Sequence, residues 1–250
     1  MHVLITNDDG IQAPGLLALK QALEQVAEVT VLAPSRNWSA SGHVKTMHKP
    51  LRVSETTLAD GSHALMTTGA PSDCVALAFL GVVSEPIDIV VSGINQGPNL
   101  GHDVTYSGTV TAAMEGVISG VPSIAVSLNS FSSGRFDYAA SFAARLALRL
   151  SEEELPPYTL LNVNVPDVPE DKIAGMLITR QGLRIYRDEL VHRFDPRNRP
   201  YYWISGEPLA GEFEEGTDEW AVENNYVSVT PLQLDLTAHG LLERLREWKM

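Results

Sequence analysis

The stretch VLITNDDG, residues 3–10, decides the fold of this chain. A short apolar run ends in an acidic turn, and a helical pattern opens at Pro14, so the sequence predicts a strand, a turn and a helix. Ligands of an open α/β sheet bind at the carboxyl ends of its parallel strands, where Asp8 and Asp9 would then lie. Two adjacent carboxylates repel each other, and a divalent cation would neutralise them. The alternative is that both aspartates only cap the helix, for which one would be enough.

The composition is that of a globular protein. The chain has 250 residues, 44% of them hydrophobic and 20% charged, which suits one large domain or a domain with an appendage. A formal net charge of −13 argues against wide contact with nucleic acid or with an anionic membrane. A substrate that carries phosphate would therefore need positive potential placed locally at its binding site.

Cysteine usage and hydropathy indicate the compartment. The single cysteine, Cys74, excludes an internal disulfide and a thiolate cluster for zinc, and it fits a reducing environment. The first residues lack a basic leader region, and no run approaches the roughly 18 apolar residues of a membrane span. We therefore expect a soluble, cytoplasmic protein without a membrane segment.

Helical and strand patterns alternate along the first two thirds of the chain. A helix after Pro14 and a second apolar strand at 29–33 complete a βαβ unit, and two alternating runs within 51–66 predict a hairpin. Further strands are predicted at 87–92, 123–128 and 160–165, and helices at 74–80, 107–119 and 138–150. The fold class is therefore α/β, with a doubly wound, mostly parallel sheet flanked by helices.

Three polar loops follow three of the predicted strands, at 7–10, 35–43 and 93–106. Doubly wound topology brings all three to one edge of the sheet, which makes them candidates for a single site. Taken singly, a serine or asparagine in such a loop is more often a turn residue, but convergence of the loops favours a metal site. The hard oxygen donors, which suit magnesium or manganese better than zinc, are Asp8, Asp9, the hydroxyl of Ser39 or Ser41, and the amide oxygen of Asn95.

A predicted helix start lies beside these donors. The backbone amides of Ser107, Gly108 and Thr109 open the helix 107–119 and form a ready anion site, with side-chain hydroxyls next to them. Phosphate would lie between the metal and this helix. A close-packed helix of small residues is the alternative interpretation, and the two are compatible.

Beyond Asp167 the composition changes to mixed charge and aromatic residues. We predict a catalytic core at 1–180 and, at 181–250, a carboxyl-terminal β-hairpin and helix arm. This arm would contain a strand at 226–230 and an amphipathic helix at 241–248. Exposed aromatics such as Tyr201, Tyr202 and Trp203 are more typical of a subunit interface than of an independent core.

Five blocks of the sequence form a distinctive series. They are Thr6 to Gly10, Ala33-Pro34 with Ser39 to Gly42, Gly69 to Val75, Ser92 to Gly101, and Tyr106 to Val110. In content and order they closely resemble the survival protein SurE family, and the likeness runs from residue 1 to about Val165. That family consists of metal-dependent nucleotidases that remove phosphate from nucleoside 5′- and 3′-monophosphates. The resemblance implies the same activity, a Rossmann-like core, and a dimer or tetramer whose carboxyl-terminal arm exchanges between subunits.

The resemblance also implies roles for individual residues. One divalent ion per subunit, magnesium or manganese, would be held by Asp8, Asp9, Ser39 and Asn95, with Asp8 and Asp9 as the catalytic residues. The substrate and phosphate pocket would comprise Asn7, Ser39, Gly42, Asn95, Ser107, Gly108 and Thr109. Departures from the family pattern are Ala70, Ser72 and Thr111, of which Thr111 would narrow the phosphate side of the pocket.

The predicted reaction is metal-assisted hydrolysis of a phosphomonoester, with Asp8 or Asp9 orienting or deprotonating the attacking water. A covalent aspartyl-phosphate route is disfavoured, because Gly10 stands where such phosphatases place a second aspartate. His43 and His102 are candidate leaving-group acids, or else solvated loop histidines. The alternatives are a sensor that binds nucleotide and metal without turnover, and a phosphatase for short polyphosphate. No P-loop, dinucleotide or nucleophile-elbow motif points to another enzyme class.

Overall fold

The strand that begins at His2 lies at the centre of the sheet. His2–Thr6 is fully buried and pairs in parallel with Glu28–Pro34 on one side and with Ile89–Gln96 on the other. Its alternate side chains enter two different cores, Val3 and Ile5 on one face and Leu4 on the other. This is the pattern of a parallel strand that is covered on both faces.

The computed structural model describes residues 1–132, 134–153, 155–184, 186–208 and 213–248. The strands are β1 His2–Thr6, β2 Glu28–Pro34, β3 Val53–Thr57, β4 His63–Thr67, β5 Ile89–Gln96, β6 Ser123–Asn129, β7 Thr159–Pro166, β8 Gly175–Ile178, β9 Tyr186–Phe194, β10 Pro200–Pro208 and β11 Tyr226–Gln233. The helices are α1 Pro14–Leu23, α2 Pro71–Leu77, α3 Gly108–Ile118, α4 Phe136–Ser151, α5 Asp218–Glu223 and α6 Leu242–Arg246. A 3₁₀ turn at Gly101–Thr105 interrupts the long loop before α3.

The main sheet has nine strands in the order β3-β4-β2-β1-β5-β6-β7-β11-β8. Its pairings are parallel except those of β3 with β4 and of β7 with β11. Helices α1 and α4 pack on the face of Val3 and Ile5, while α2, which carries Cys74, packs with α3 on the face of Leu4. The predicted Rossmann-like, mostly parallel sheet flanked by helices is thereby confirmed.

Strand β5 is longer than the sequence pattern predicts. The apolar run ends at Ser92, yet β5 continues to Gln96 because Asn95 and Gln96 pair with Ser127 and Leu128 of β6 after an irregularity in the register. Asn95 therefore lies at the end of a strand and not in a free loop. Tertiary pairing here overrides the weak strand propensity of glycine, asparagine and glutamine.

The predicted boundary at residue 181 does not separate core from arm. Strand β11 lies inside the main sheet between β7 and β8, so a segment assigned to the arm completes the core. Val227 and Val229 of β11 contribute to the same core as Val3 and Ile5, which explains why this strand cannot remain outside. The terminal helix is also shorter than predicted, with α6 covering Leu242–Arg246.

The predicted carboxyl-terminal hairpin is present. Strands β9 and β10 pair in antiparallel fashion as a separate two-stranded sheet. Leu190 pairs with Ile204, next to the pair of Val191 with Trp203, and three of these four side chains are exposed. Among the described helices none combines the length and the hydrophobicity needed to cross a membrane.

Candidate active site

The turn after β1 is shaped by Asn7. Its side chain is fully buried, its amide donates to the Gly10 carbonyl at 3.0 Å, and its Oδ1 accepts the Gly10 N–H at 3.2 Å. Gly10 has φ +102°, and a Cβ there would lie 3.1 Å from the Arg36 carbonyl carbon, so both conformation and space require glycine. The polar atoms of Asn7 thus hold the turn that carries Asp8 and Asp9.

Asp8 is buried against the start of α3. The Thr109 hydroxyl donates to Asp8 Oδ1 at 2.6 Å, and a Cβ on Gly108 would lie 2.8 Å from Asp8 Cβ. Burial raises the pKa of Asp8 from 3.8 to about 6, and the neighbouring charge of Asp9 acts in the same direction. The hydrogen bond from Thr109 opposes this rise. The carboxylate is therefore held at a real cost in free energy, in contact with the helix start that the sequence predicted as an anion site.

Asp9 connects the other two loops. The Gln96 N–H donates to Asp9 Oδ2 at 3.0 Å, and the Asn37 amide lies 3.4 Å from Asp9 Oδ1. Asn37 Oδ1 in turn accepts both the N–H and the hydroxyl of Ser39, each at 2.7 Å. Burial raises the pKa of Asp9 as well, against the hydrogen bond from Gln96. One carboxylate thus links the end of β5 with the loop after β2.

The remaining predicted residues lie along the same rim. The Asn95 amide donates to the Gly97 carbonyl at 2.8 Å, which directs its nitrogen to the backbone and leaves its oxygen for other contacts. Ser107 caps α3 by accepting the Val110 N–H at 3.1 Å.

Gly42 is fixed to α3 and its preceding turn. The Gly42 N–H donates to the Tyr106 carbonyl at 2.9 Å, and its carbonyl accepts the Thr111 hydroxyl at 3.1 Å. Thr111, which departs from the family pattern, therefore contacts the loop after β2.

Two of these contacts come from residues that the sequence analysis missed. Asn37 and Gln96 each lie in a polar loop that was singled out, but neither was assigned a role. Gln96 acts through its backbone N–H, which no residue type reveals. Asn37 lies two residues before Ser39, a spacing at which an amide side chain bonds the backbone ahead of it, and this was the available signal.

His43 does not stand free as an acid. Its Nε2 lies 3.1 Å from Glu115 Oε2, and Lys45 Nζ lies 3.1 Å from the other oxygen of this buried carboxylate. The pKa of Glu115 is lowered, mainly by the bond from His43. These pairs fasten the segment after Gly42 to α3. His102 is exposed within the 3₁₀ turn, so it fits the solvated alternative better.

Side chains of β7 and of the carboxyl-terminal segment anchor the loop between β5 and α3. Asn164 Oδ1 accepts the Asn99 N–H at 2.7 Å, and the amides of Asn162 and Asn164 donate to the Asn99 carbonyl. Buried Asp218 accepts the Gly101 N–H at 2.9 Å. Strand β7 and helix α5 therefore hold this loop in place.

The donor set fits a hard divalent cation. Within the described residues no group of three or more His, Cys, Asp and Glu side chains could hold a metal, so a softer zinc-type cluster is not available there. The predicted set, Asp8, Asp9, Ser39 and Asn95, comprises two carboxylates, a hydroxyl and an amide oxygen, all of them oxygen donors. Burial raises the pKa of Asp8 and of Asp9, because ionisation of a buried carboxyl costs free energy. A bound cation would offset that cost.

Fold and site together define the class of protein: a doubly wound α/β protein with a paired-carboxylate turn beside the start of a helix. A family model described as "Survival protein SurE" matches residues 3–188. The chain belongs to the survival protein SurE family.

The similarity to other members of the family extends over the full length of the chain. A protein named 5′-nucleotidase SurE from Chloroflexus aggregans is 53% identical over 251 residues, covering 100% of this chain and 99% of the relative. Its namesake from Herpetosiphon aurantiacus is 55% identical over 247 residues, covering 98% and 97%. The crystal structure of the SurE protein from Aquifex aeolicus is 42% identical, with a TM-score of 0.85 and coverage of 98% of both chains.

Proposed function

We propose that this protein is a metal-dependent 5′-nucleotidase that hydrolyses nucleoside 5′-monophosphates, and also 3′-monophosphates, to nucleoside and phosphate. The observation that carries the proposal is the buried Asp8 carboxylate in contact with Thr109 at the start of α3. A carboxylate that can bind a cation next to a helix start that can bind an anion is what a phosphomonoesterase requires, and this contact supports the proposal. The names of the full-length relatives support the same activity.

The chain's own residues divide the work. Asp8, Asp9, Ser39 and Asn95 would hold one magnesium or manganese ion, which polarises the phosphoryl group and lowers the pKa of a bound water. At the start of α3 the Ser107 N–H donates to the Asp103 carbonyl, and the Thr109 N–H is directed at Asp8. The Gly108 N–H is therefore the backbone donor that would bind a phosphoryl oxygen. Asp8 is fixed by Thr109, whereas Asp9 is more exposed and is the residue that orients the attacking water.

Replacement of Asp9 by asparagine tests this assignment. Asp9→Asn should abolish release of p-nitrophenol from p-nitrophenyl phosphate with manganese present, because the variant loses a carboxylate that binds the cation and orients water. Asp137→Asn, an exposed residue of α4, serves as the matched control and should keep parental turnover. Near-normal turnover by Asp9→Asn contradicts the role given to Asp9.

A phosphate-release assay separates an enzyme from a sensor. Release from nucleoside monophosphates that needs manganese and stops on chelation supports the nucleotidase. Binding of nucleotide without release supports the non-catalytic sensor, and faster release from short polyphosphate supports the polyphosphatase.

We also propose that the protein is a cytoplasmic homo-oligomer, a dimer or tetramer, assembled through its β9–β10 hairpin. Adjacent residues of a strand point to opposite faces, and Trp203 and Ile204 are both exposed, at 64% and 85%. Both faces of this thin hairpin therefore present apolar surface that a second copy can cover. The single buried cysteine is consistent with a reducing compartment.

A further inference from the structure

The site described above has a charge problem. The chain carries a formal net charge of −13, and its candidate site begins with two adjacent carboxylates. A phosphomonoester that approaches it is itself a dianion at neutral pH. One divalent cation only offsets the two carboxylates, so the approach and binding of substrate call for a further positive group at the rim.

Several cations near the site loops are already committed to carboxylates. Lys45 and His43 both pair with Glu115, at 3.1 Å each. Arg184 pairs with Asp103 beside the loop that precedes α3, at 3.1 Å. The charges of Lys45 and Arg184 are therefore offset within the protein, and the His43 ring is held by Glu115.

Arg36 differs from these cations. It is exposed, and it forms no ion pair with a carboxylate of the described residues. Instead its Cζ lies 4.5 Å from the centroid of the Trp38 ring. A guanidinium stacked on an aromatic face keeps its charge and its outward N–H donors while losing conformational freedom.

Both residues of this stacked pair are tied to the catalytic turn. The backbone N–H of Trp38 donates to the backbone carbonyl of Asp8 at 2.7 Å. The Arg36 backbone packs against Gly10, where a Cβ would meet the Arg36 carbonyl carbon at 3.1 Å. Asn37, between them, reaches Asp9. Arg36 and Trp38 therefore wrap around the turn without neutralising its carboxylates.

We propose that Arg36, held in place by stacking on Trp38, binds a phosphoryl oxygen of the substrate and so raises affinity for phosphomonoesters. This inference rests on the proposed nucleotidase function. Arg36 lies in the loop after β2, on one side of β1, whereas α3 follows β5, on the other side of β1. The two donors therefore contact different phosphoryl oxygens. Trp38 is a positioning residue, because it acts through the guanidinium.

Binding of inorganic phosphate tests the inference without turnover. The chain has four tryptophans, and phosphate that draws Arg36 should change the emission of Trp38 in a saturable manner. Trp38→Phe should remove this change. Arg36→Ala should lose the emission change, and isothermal titration calorimetry should show its half-saturating phosphate concentration raised about 10- to 100-fold, the usual range for loss of a charge-assisted hydrogen bond. Arg36→Lys, which keeps the charge but not the planar fork, should fall between Arg36→Ala and the parent.

The matched control is another stacked arginine. Arg145 of α4 lies over Tyr138 and Phe142, at 5.9 and 5.7 Å from the ring centroids, away from the site. Arg145→Ala should leave phosphate binding unchanged. If Arg36→Ala binds phosphate as the parent does, or if Arg145→Ala weakens binding equally, the inference is overturned.

Steady-state kinetics separate this inference from the proposed function. With manganese, Arg36→Ala should raise KM for AMP and for ribose 5-phosphate by similar factors and change kcat little, since the contact is to the phosphoryl group common to both. An unchanged KM in an enzyme that hydrolyses AMP overturns the inference alone. A parent protein that releases no phosphate from any nucleoside monophosphate overturns the proposed function instead, whatever the phosphate titration shows.

Discussion

At the scale of single residues, Asp8 shows how function and stability oppose each other. Its carboxyl is buried, receives the Thr109 hydroxyl and has a pKa raised to about 6 by burial. An ionised carboxylate in this place destabilises the metal-free protein, since the hydrogen bond from Thr109 offsets only part of the cost, and a bound cation would offset more of it. A residue needed for the proposed chemistry is thus a source of instability in the metal-free protein.

Replacement of Asp8 by asparagine should therefore stabilise the metal-free protein while it abolishes activity. Asparagine keeps an acceptor for Thr109 and removes the buried charge. The folded-state pKa lies above the ordinary value of 3.8, so the folded protein binds the extra proton between pH 3.8 and about 6, and its stability falls as pH rises through this window. The gain from Asp8→Asn should be near zero at pH 4 and reach at most about 3 kcal/mol at pH 7.

Urea unfolding of both proteins at several pH values, with chelator present, measures this difference. Asp60→Asn provides a contrast, because hydrogen bonds from Ser62, followed by the bond from Lys20, hold the pKa of Asp60 low. That variant should lose stability at pH 7. A constant difference between Asp8→Asn and the parent from pH 4 to pH 7 would show that the Asp8 carboxyl is not raised in pKa.

Metal binding should depend on pH for the same reason. The proposed cation would bind the ionised form of Asp8, so its apparent affinity should fall about tenfold per pH unit below pH 6 and level off above it. Calorimetric titration with manganese in two buffers of different ionisation enthalpy measures the proton released per ion. Release of about one proton at pH 5 and almost none at pH 8 is expected, whereas pH-independent binding would contradict the raised pKa.

At the scale of elements, the contact between the turn after β1 and the start of α3 sets the geometry of the site. Gly108 makes that contact possible, since a Cβ there would lie 2.8 Å from Asp8 Cβ and 3.1 Å from Pro71 Cγ. Helix and turn meet through backbone and β-carbon atoms, which cannot move aside as a flexible side chain does. The distance between the proposed cation and phosphate sites therefore depends on the absence of a side chain at Gly108.

Gly108→Ala should push α3 away from Asp8 and reduce kcat/KM about 10- to 100-fold, at a cost in stability of about 1–3 kcal/mol. Gly240→Ala is the control, because a Cβ at that position has nothing within 4 Å. Phosphate-release kinetics and urea unfolding report the two effects separately. Parental activity in Gly108→Ala would mean that α3 is not held at this distance during turnover.

Elements whose own residues carry a periodic pattern were predictable, and elements that depend on a neighbour were not. The apolar run of β1, the alternating hairpin β3–β4 and the helices α3 and α4 follow from local sequence, and the structure confirms them. The extension of β5 to Gln96 depends on pairing with β6. The same holds for the site. Paired aspartates are visible in a sequence, whereas the backbone N–H of Gln96 becomes a hydrogen-bond donor to Asp9 only through the fold.

At the scale of the whole molecule, the carboxyl-terminal segment serves the core as well as the arm. Strand β11 fills the sheet, and Asp218 of α5 holds Gly101 in the loop that leads to α3. The sequence after Asp167 does not reveal this role, because its composition resembles that of a surface arm. A buried aspartate in a short helix, such as Asp218, cannot be told from an exposed one by sequence. The hairpin β9–β10 is the part that leaves the core and remains uncovered in a single chain.

Removal of apolar side chains from the hairpin should weaken the proposed assembly. Ile204→Ser should shift sedimentation velocity profiles towards smaller species at low micromolar concentration, because Ile204 is 85% exposed in the single chain and would be covered in an oligomer. Leu80→Ser, at 81% exposure outside the hairpin, is the matched control. Equal sedimentation of both variants and the parent would place the contact elsewhere.

The burial of Cys74 has a practical consequence. This only thiol of the chain has no solvent exposure, and burial raises its pKa, so the native protein offers almost no thiolate to reagents that modify sulfur. A cysteine introduced at a surface position, for example by Phe131→Cys near Gly97, would accept a fluorophore or spin label with no competing site. The slow rate at which Cys74 itself is labelled would then report how often the core around α2 opens.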